Sequence, residues 1–460
     1  MMREAALPML RAPAPMALSG KKVLVLGLGD TGLSVAAWVE RQGGCARVAD
    51  TRKSPPRKAD FQGEFHGGKF KRSLLKGVDL VCISPGLSLE EDLIQDAVAK
   101  GIPVAGDVEL FAWHVRRRAA ASKVVAVTGT NGKSTVTALT GHLLRAAGID
   151  CEVAGNISPP VLEALVRRGS RPPAAWALEL SSYQLETTWS LDPDAAAMLN
   201  LSEDHLDRYT GLAQYAGAKA RVFQGGGAQV LNRCDSASMA MALPQRAQVT
   251  FGLDAPAVAE DFGISGGWLV RGGERILAVA ELPLSGMHNA SNALAACALA
   301  SAAGVPLAAL AAGLKNFRGL PHRMSLVAER GGVAWYDDSK GTNVGATVAA
   351  LRGLARPAIL ILGGEGKGQD FSALAPAVKE RARRVLLIGR DAALIERALA
   401  ATGVPAERAR TIQQAVERAA EAARPGDAVL LSPACASFDM FRDYRHRGEA
   451  FAAAVRALGF

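Results

Sequence analysis

The chain has 460 residues, 49% of them hydrophobic and 21% charged, and a formal net charge of +9 at pH 7. This length predicts about three domains, and the composition is that of a folded chain rather than a disordered one. The six cysteines lie far apart without a CxxC pair. That spacing argues against a structural zinc site or a disulfide framework and favours a reducing compartment. Basic and acidic residues are intermixed, so the charge does not favour a nucleic-acid groove.

The first 19 residues do not read as part of a folded domain. They contain three prolines, and Arg11 interrupts their apolar part, so they make a poor signal peptide. We predict a disordered tail over residues 1–19, with Met16 as an alternative start. No apolar stretch in the chain reaches the ~20 residues that a membrane-spanning helix needs.

A dinucleotide-type pattern follows the tail. A strand over residues 21–26 leads into GLGDTG and a helix through Arg41, and Asp50 ends the next strand, CARVAD. A further strand, VDLVCIS, ends at SPG (residues 84–86), where such sheets bind ligands. The pattern requires a diphosphate at a helix N-terminus and a carboxylate near the far sugar. Both NAD and a UDP-sugar meet that requirement, so an oxidoreductase stays open at this point.

The segment KVVAVTGTNGKST, residues 123–135, predicts a nucleotide phosphate site. A buried strand, a glycine turn and a helix start form a cradle in which backbone amides and the helix dipole face an anion. Lys133 would reach the β- and γ-phosphates, and the Ser134 hydroxyl would bind Mg²⁺. Val127 replaces a glycine of the standard pattern, so this is a shorter GxxGKS variant.

Two clusters of polar residues follow later strands of the same predicted sheet. WALELSSYQLE predicts a strand that ends at Glu179, a suitable place for a metal ligand beside a phosphate loop. The next strand runs into EDHLDRY, with Asp204, His205 and Asp207, and a helix with Lys219 follows. An isolated histidine or lysine is more often an ordinary surface residue. The position after a parallel strand favours a functional role.

The remainder of the chain predicts hairpins over residues 225–280 and a helix that begins near His288. Asn289 and Asn292 lie one turn apart on that helix and either bond to backbone or contact a nucleobase. From about residue 320, strands and helices alternate as in another doubly wound unit. Its strand ends are followed by polar residues, namely Asp338, Lys340, Glu365, Lys367, Ser432 and Ser437.

These patterns predict an α/β protein with three domains after the tail. Residues 20–114 form a Rossmann-like substrate-binding domain, and residues 115–319 form a central P-loop ATPase domain with a parallel sheet. Residues 320–460 form a C-terminal Rossmann-like domain that binds the second substrate.

Together these segments resemble the Mur ligases of bacterial cell-wall synthesis. The resemblance runs in family order from residue 21 to the C-terminus. It rests on GLGDTGLSVA, DTR, SPG, TGTNGKST, LELSSYQLE, EDHLDRY, AKARVF, HNASNALAA, LPHR, DDSKGTN, GGEGK and SPACASFD. Within the family, DTR at residues 50–52 and DSKGTN point to the addition of D-glutamate. A member that adds a later diamino acid would carry a DNPR-type sequence, which this chain lacks.

The resemblance implies an ATP-dependent amide ligase of the EC 6.3.2 type. It would add D-glutamate to UDP-N-acetylmuramoyl-L-alanine through an acyl phosphate, releasing ADP and phosphate. This reaction belongs to peptidoglycan synthesis, and so to cell-wall biogenesis, cell shape and cell division. We expect a cytoplasmic monomer that uses ATP and two Mg²⁺ ions, with no nucleic-acid partner and no membrane span.

The resemblance also implies a set of site residues. The UDP-substrate would contact Asp30, Thr31, Asp50, Thr51, Arg52, Ser84, Pro85, Gly86 and Asn156. ATP would contact Gly129, Thr130, Asn131, Gly132, Lys133, Ser134, Thr135, Asn292, Arg323 and Asp338. One Mg²⁺ would bind Ser134 and Glu179, and the other would bind His205 and a carbamate on Lys219. D-glutamate would be held by Lys340, Thr342, Lys367, Ser437 and Tyr444. The catalytic set would be Lys133, Glu179, His205 and Lys219.

Three alternatives remain at this stage. A Mur-type ligase for a different amino acid fits the same motifs. An NAD-dependent oxidoreductase rests on the first domain alone and leaves Lys133, Glu179 and the third domain without a role. A regulator that binds ATP without turnover would have little need of the metal-binding residues. Since the substrate residues lie on three sheets, we also expect the domains to converge during the reaction and exclude water.

Overall fold

The computed structural model describes residues 12–117, 122–204, 208–284 and 286–459. Within them, three β-sheets of five, nine and six strands follow one another along the chain, as the α/β prediction requires. Residues 1–11 of the predicted tail, and His205 and Asp207 of the predicted metal cluster, lie outside the described residues. Leu18, from the rest of the predicted tail, is buried in the core beneath the first sheet.

The first sheet is parallel, with the strand order β3-β2-β1-β4-β5. In β1 the residues Val23, Leu24, Val25 and Leu26 are all buried, because helices cover both faces of a parallel sheet. Its elements are β1 (Lys22–Leu26), α1 (Asp30–Arg41), β2 (Cys45–Asp50), β3 (Glu64–Gly67), β4 (Leu80–Ile83), α2 (Asp92–Ala99), β5 (Val104–Ala105) and α3 (Asp107–Arg117).

The second sheet has the order β14-β13-β12-β11-β10-β9-β6-β8-β7. Its strands are β6 (Lys123–Thr128), β7 (Cys151–Gly155), β8 (Ala175–Glu179), β9 (Ala195–Met198), β10 (Ala228–Asn232), β11 (Gln248–Phe251), β12 (Phe262–Ser265), β13 (Trp268–Arg271) and β14 (Glu274–Ala278). Its helices are α4 (Lys133–Ala146), α5 (Val161–Arg168), α6 (Ser182–Glu186), α7 (Leu212–Ala220), α8 (Ser236–Met239), α9 (Met287–Ala302) and α10 (Leu307–Asn316).

The position of β6 in this sheet determines where the site can form. It pairs in parallel with β8 on one side and β9 on the other. The residues that follow β6, β8 and β9 therefore emerge at the same edge of the sheet, where ligands of such folds bind. The glycine turn, Glu179 and Asp204 are brought together by this strand order.

The prediction of hairpins over residues 225–280 is partly wrong. Strands β12, β13 and β14 do pair antiparallel, but β10 and β11 extend the parallel part of the sheet from β9. The helix α8 makes the crossover between β10 and β11. A crossover helix of four residues gives little helical periodicity, so the sequence does not mark this segment as a crossover.

The third sheet has the order β15-β16-β20-β17-β18-β19 and is parallel apart from β15. Its elements are β15 (Ser325–Arg330), β16 (Val333–Asp337), α11 (Val344–Gly353), β17 (Ala358–Gly363), α12 (Ala375–Arg381), β18 (Ala382–Ile388), α13 (Ala392–Leu399), β19 (Ala406–Arg408), α14 (Ile412–Ala422), β20 (Ala428–Leu431) and α15 (Tyr444–Ala457). None of the helices in the described part of the chain is long and apolar enough to cross a bilayer.

Candidate active site

Three adjoining clefts lie where the three sheets meet. The substrate cleft, about 640 Å³, is lined mainly by the first domain, and the nucleotide cleft, about 340 Å³, by the second and third. Between them lies a central cavity of about 260 Å³. Asn156 and Lys340 line both the substrate cleft and the central cavity. Asn131, Gly132 and Arg323 line both the central cavity and the nucleotide cleft, so the three spaces adjoin.

The glycine turn after β6 has the geometry of a phosphate cradle. Gly132 has φ +86°, in the left-handed region, and α4 begins at the next residue. The turn is tied to the end of β9, because the backbone N–H groups of Thr130 and Asn131 donate to the backbone and side-chain oxygens of Asn200, at 2.9 and 2.8 Å. The amides at the start of α4 are therefore held in a fixed direction, as anion binding requires.

Lys133 is folded back over its own turn. Its Nζ donates to the carbonyl oxygens of Gly129, at 2.9 Å, and Thr130, at 2.8 Å. Burial lowers the pKa of Lys133, while the carboxylates of Glu179 and Asp204 act in the opposite direction. The ammonium group is thus already placed at the turn that the sequence assigns to phosphates.

Glu179, the last residue of β8, is 2% exposed. Its Oε1 accepts a hydrogen bond from Asn156 Nδ2 at 2.6 Å. Its Oε2 is buried and, among the described residues, has no hydrogen-bond partner. A buried carboxylate oxygen without a hydrogen-bond donor destabilises the folded protein. A cation bound in the cavity would satisfy this oxygen, so Glu179 Oε2 is a candidate metal ligand.

Lys219 lies on α7 and is 1% exposed. Its Nζ donates to the Gly129 carbonyl at 2.8 Å and lies 4.5 Å from the centre of the Tyr215 ring. Burial, and then the nearby charge of Lys133, lower the pKa of Lys219 well below its usual value. A lysine in this environment can lose its proton more easily than one in water.

The described residues offer only part of a magnesium site. No group of three His, Cys, Asp or Glu side chains is arranged to hold a metal ion within the described ranges. The candidate metal ligands are Glu179 Oε2 and the Ser134 hydroxyl, to which Arg323 donates a hydrogen bond in this structure. Mg²⁺ usually takes one or two protein oxygens and completes its octahedron with phosphate oxygens and water, so this sparse set fits Mg²⁺.

Six of the ten residues expected around ATP line the nucleotide cleft, namely Asn131, Gly132, Thr135, Asn292, Arg323 and Asp338, and Thr130 and Lys133 line the central cavity. Arg323 Nη2 donates to Ser134 Oγ at 2.7 Å, across the boundary between the third and second domains. Asn292 Nδ2 donates to Asn289 Oδ1 at 3.1 Å, and both residues face the cleft. Burial raises the pKa of Asp338 to about 7, although Ser432 Oγ donates to this carboxylate at 2.7 Å.

The residues expected at the UDP-substrate line the substrate cleft. Those present are Asp30, Thr31, Asp50, Thr51, Arg52, Ser84, Pro85, Gly86 and Asn156. The Asp30 side chain is 69% exposed and lies 3.4 Å from Arg57.

Asp50 is already bonded within the protein. Its oxygens accept from the backbone N–H of Leu28 and from the backbone and guanidinium of Arg52, each at 2.8 Å. Burial would raise the pKa of Asp50, but these hydrogen bonds outweigh it and lower the pKa to about 2. The carboxylate thereby fixes Arg52 and the turn after β1 at the cleft.

Four of the five residues expected to hold the amino acid face these spaces. Lys340, Thr342 and Lys367 line the central cavity, and Tyr444 lines the substrate cleft. The Lys340 Nζ lies 4.0 Å from the centre of the Tyr444 ring, and burial lowers the pKa of Lys340 to about 8. Ser437 is buried and lines none of the three clefts.

The sequence analysis missed several residues of the site. Asn200 holds the glycine turn, Gln184 lines the substrate cleft, and Asn343 contacts the turn from the third domain. Asn200 lies two residues after β9, so the rule that polar groups follow strand ends could have found it. The contact of Asn343 joins residues 212 positions apart and leaves no local signal.

We predict that Gly132→Ala weakens nucleotide binding, and that the loss is larger than the same substitution causes at a glycine of similar φ outside the site. The new Cβ would overlap Asn292 Oδ1, at a residue whose φ is +86°. Gly148 is a matched control, because its φ is +80° and nothing lies within 4 Å of a Cβ built there. Calorimetric titration with a non-hydrolysable ATP analogue should show a loss of at least about tenfold, or ~1.4 kcal/mol, for Gly132→Ala only. Equal affinities in the two variants would contradict this role.

Three protein families match successive parts of this chain. Residues 21–106 match a family described as "Mur ligase MurD-like, N-terminal domain". Residues 127–300 match "Mur ligase middle domain", and residues 322–435 match "Mur ligase, glutamate ligase domain".

Similar proteins span almost the whole chain. A UDP-N-acetylmuramoylalanine–D-glutamate ligase of Nitrosospira multiformis is 54% identical, over 96% of this chain and 97% of its own length. A ligase of the same name from Thiobacillus denitrificans is also 54% identical, with the same coverage.

Solved structures share the fold at low sequence identity. The UDP-N-acetylmuramate-alanine ligase MurC of Thermotoga maritima aligns with a TM-score of 0.62 at 19% identity, covering 95% of this chain and 99% of that one. MurF of Acinetobacter baumannii aligns with a TM-score of 0.61 at 17% identity, covering 96% and 91%. With three family matches in order and relatives more than half identical over nearly its full length, this chain belongs to the Mur ligase family.

Proposed function

We propose that this chain is an ATP-dependent ligase that joins D-glutamate to UDP-N-acetylmuramoyl-L-alanine in peptidoglycan synthesis, releasing ADP and phosphate. The observation that most supports this is that the three clefts adjoin and share lining residues. A nucleotide, a nucleotide-sugar peptide and an amino acid bound in them would meet at the central cavity. The relatives that are 54% identical carry the name of this activity.

The chemistry requires that two anions meet. A carboxylate is a poor electrophile, so the alanine carboxylate must first take the γ-phosphate of ATP and become an acyl phosphate. Lys133 and the amides at the start of α4 lie where they would offset the repulsion between carboxylate and phosphate. The amine of glutamate then attacks the acyl carbon, and phosphate leaves.

Ser134 and Glu179 are the residues that would hold Mg²⁺ beside the triphosphate. Magnesium bound there would supply positive charge to the phosphate oxygens. Asn156 orients Glu179 through its side-chain amide, while its backbone N–H donates to the Glu179 carbonyl at 2.8 Å. Asn156 therefore fixes both the Glu179 carboxylate and the end of β8.

Lys219 is proposed to carry a carbamate. A neutral lysine amine attacks CO₂ to give an N-carboxylate with release of one proton, and the lowered pKa of Lys219 favours the neutral amine. The product would replace a buried cation by an anion beside Lys133 and give the oxygen ligands that Mg²⁺ prefers. His205 is proposed as a partner ligand from the sequence resemblance alone.

Lys340, Thr342 and Lys367 are proposed to hold the carboxylates of D-glutamate. All three reach the central cavity from the third domain, and two are cations that suit a dicarboxylate. Tyr444 supports Lys340 through its ring, and Ser437 stays in the set by resemblance. Since one chain lines all three clefts, we propose a monomer, and we place it in the cytoplasm, where ATP is available.

The alternatives have less support. An NAD-dependent oxidoreductase would use the substrate cleft and leave the buried Lys133, Glu179 and Lys219 without a role. A Mur ligase for another amino acid differs only in what the cations of the third domain bind. That difference is the one an assay must resolve.

We expect phosphate release from ATP to require both UDP-N-acetylmuramoyl-L-alanine and D-glutamate. A panel of D- and L-amino acids, including diamino acids, tests this, with product mass as a second readout. Preference for an L- or diamino acid would contradict the assignment of D-glutamate. A change in NAD(P)H absorbance without phosphate release would contradict the ligase itself.

We predict that Lys219→Ala lowers the ligation rate by at least about 10- to 100-fold. The affinity for the UDP-substrate should not change, because Lys219 lies apart from the substrate cleft. Lys315→Ala is the control, since that lysine is exposed and pairs with Glu281 at 2.7 Å. With ¹³C-labelled bicarbonate, a carbamate carbon signal should appear in the native and Lys315→Ala proteins and be absent from Lys219→Ala. An unchanged signal, or full activity without Lys219, would remove the carbamate from the account.

A further inference from the structure

We propose that Asn343 is a positioning residue that locks the amino-acid-binding loop of the third domain onto the glycine turn of the second. The proposal rests on the proposed function and extends it to a residue that contacts no reacting atom. What supports it is one buried side-chain amide that bonds to both domains.

Asn343 is 4% exposed and lies directly before α11. Its Oδ1 accepts from the backbone N–H of Ala346 at 2.8 Å, which caps the helix within its own domain. Its Nδ2 donates to Asn131 Oδ1 at 3.1 Å and to Asp204 Oδ2 at 3.2 Å, both in the second domain. The side-chain amide of Asn343 thus accepts a hydrogen bond within the third domain and donates hydrogen bonds to the second.

The two partners in the second domain belong to the site. Asn131 lies in the glycine turn and lines the nucleotide cleft and the central cavity, and Asp204 lines that cavity after β9. The packing around the contact is close. A Cβ on Gly345 would lie 3.2 Å from Ser202 Oγ and 3.3 Å from Asn131 Nδ2, which is tighter than ordinary contact. The start of α11 therefore packs closely against the turn.

Helix capping alone does not require asparagine. Serine, threonine and aspartate also accept the hydrogen bond at a helix N-cap, but none of them can donate two N–H bonds to oxygens across a boundary. Aspartate would also place a carboxylate against Asp204. The choice of residue is explained by the interdomain bonds as well as by the cap.

The consequence concerns Lys340 and Thr342, which precede Asn343 in the same loop. The backbone N–H of Lys340 donates to the backbone carbonyl oxygen of His322 at 3.1 Å, and that of Thr342 donates to the Lys340 carbonyl at 2.8 Å. The loop is anchored in the third domain at one end, and Asn343 anchors its other end to the glycine turn. The distance from the amino-acid site to the triphosphate is thereby fixed when the domains meet.

The test uses Asn343→Ser, which retains a capping oxygen and loses the amide donors, beside Asn343→Ala, which loses both. In the full-length enzyme, Asn343→Ser should lower kcat/KM for D-glutamate by about 10- to 100-fold, because a misplacement of about 1 Å is that costly. The KM for the UDP-substrate should stay within about twofold of the native value. Thermal unfolding should show that Asn343→Ser is more stable than Asn343→Ala.

Asn131→Ala removes one of the two interdomain bonds of Asn343 from the other side and leaves the bond to Asp204, and it keeps the proposal testable if the Asn343 variants fold poorly. Combined with Asn343→Ser, it should cause less than the product of the two single losses, because the second change removes a contact already lost. Native kcat/KM for D-glutamate in Asn343→Ser, or fully multiplicative losses in the double variant, would overturn the proposal. An unmodified enzyme that releases no phosphate with D-glutamate would instead refute the proposed function.

Discussion

Two lysine side chains meet at one backbone carbonyl in this molecule, and the rest of the site is arranged around them. The Nζ atoms of Lys133 and Lys219 both donate to the oxygen of Gly129, at 2.9 and 2.8 Å. Burial and the charge of Lys133 disfavour a second cation at this point and lower the pKa of Lys219. The positive charge of Lys133 favours an anion that enters beside it, whether a phosphate or the proposed carbamate.

The order of strands makes this convergence possible. Because β6 lies between β8 and β9, the glycine turn, Glu179 and the residues after β9 reach one edge of the sheet. The third domain then adds Arg323 and Asn343, which bond directly to Ser134 and Asn131 of that edge. The substrate cleft is lined mainly by the first domain and the nucleotide cleft by the second and third, and the proposed chemistry takes place where these spaces adjoin.

Local sequence patterns predicted the parts of the site that follow strands. The apolar run before the glycine turn, the carboxylate that ends β8 and the SPG after β4 were all placed correctly, because a short apolar run bounded by turn residues indicates a buried strand. The position of Asp50 at the end of β2 was also predicted. Its bonds to Leu28 and Arg52 were not, since the sequence does not show which donors surround a carboxylate.

Contacts between distant segments were the harder part. The parallel pairing of β10 and β11 depends on a crossover through a four-residue helix, which gives too few residues to show periodicity. The role of Asn343 depends on a partner 212 residues away. His205 and the carbamate on Lys219 come from the resemblance and remain predictions.

The account depends most on where the triphosphate binds. A crystal structure with a non-hydrolysable ATP analogue and Mg²⁺ tests this directly. We expect the β- and γ-phosphates to lie in the turn around Gly132 and Lys133, with a magnesium ion on Glu179 Oε2. A triphosphate bound in any other place, or a Glu179 carboxylate without a metal ligand in that complex, would contradict the account.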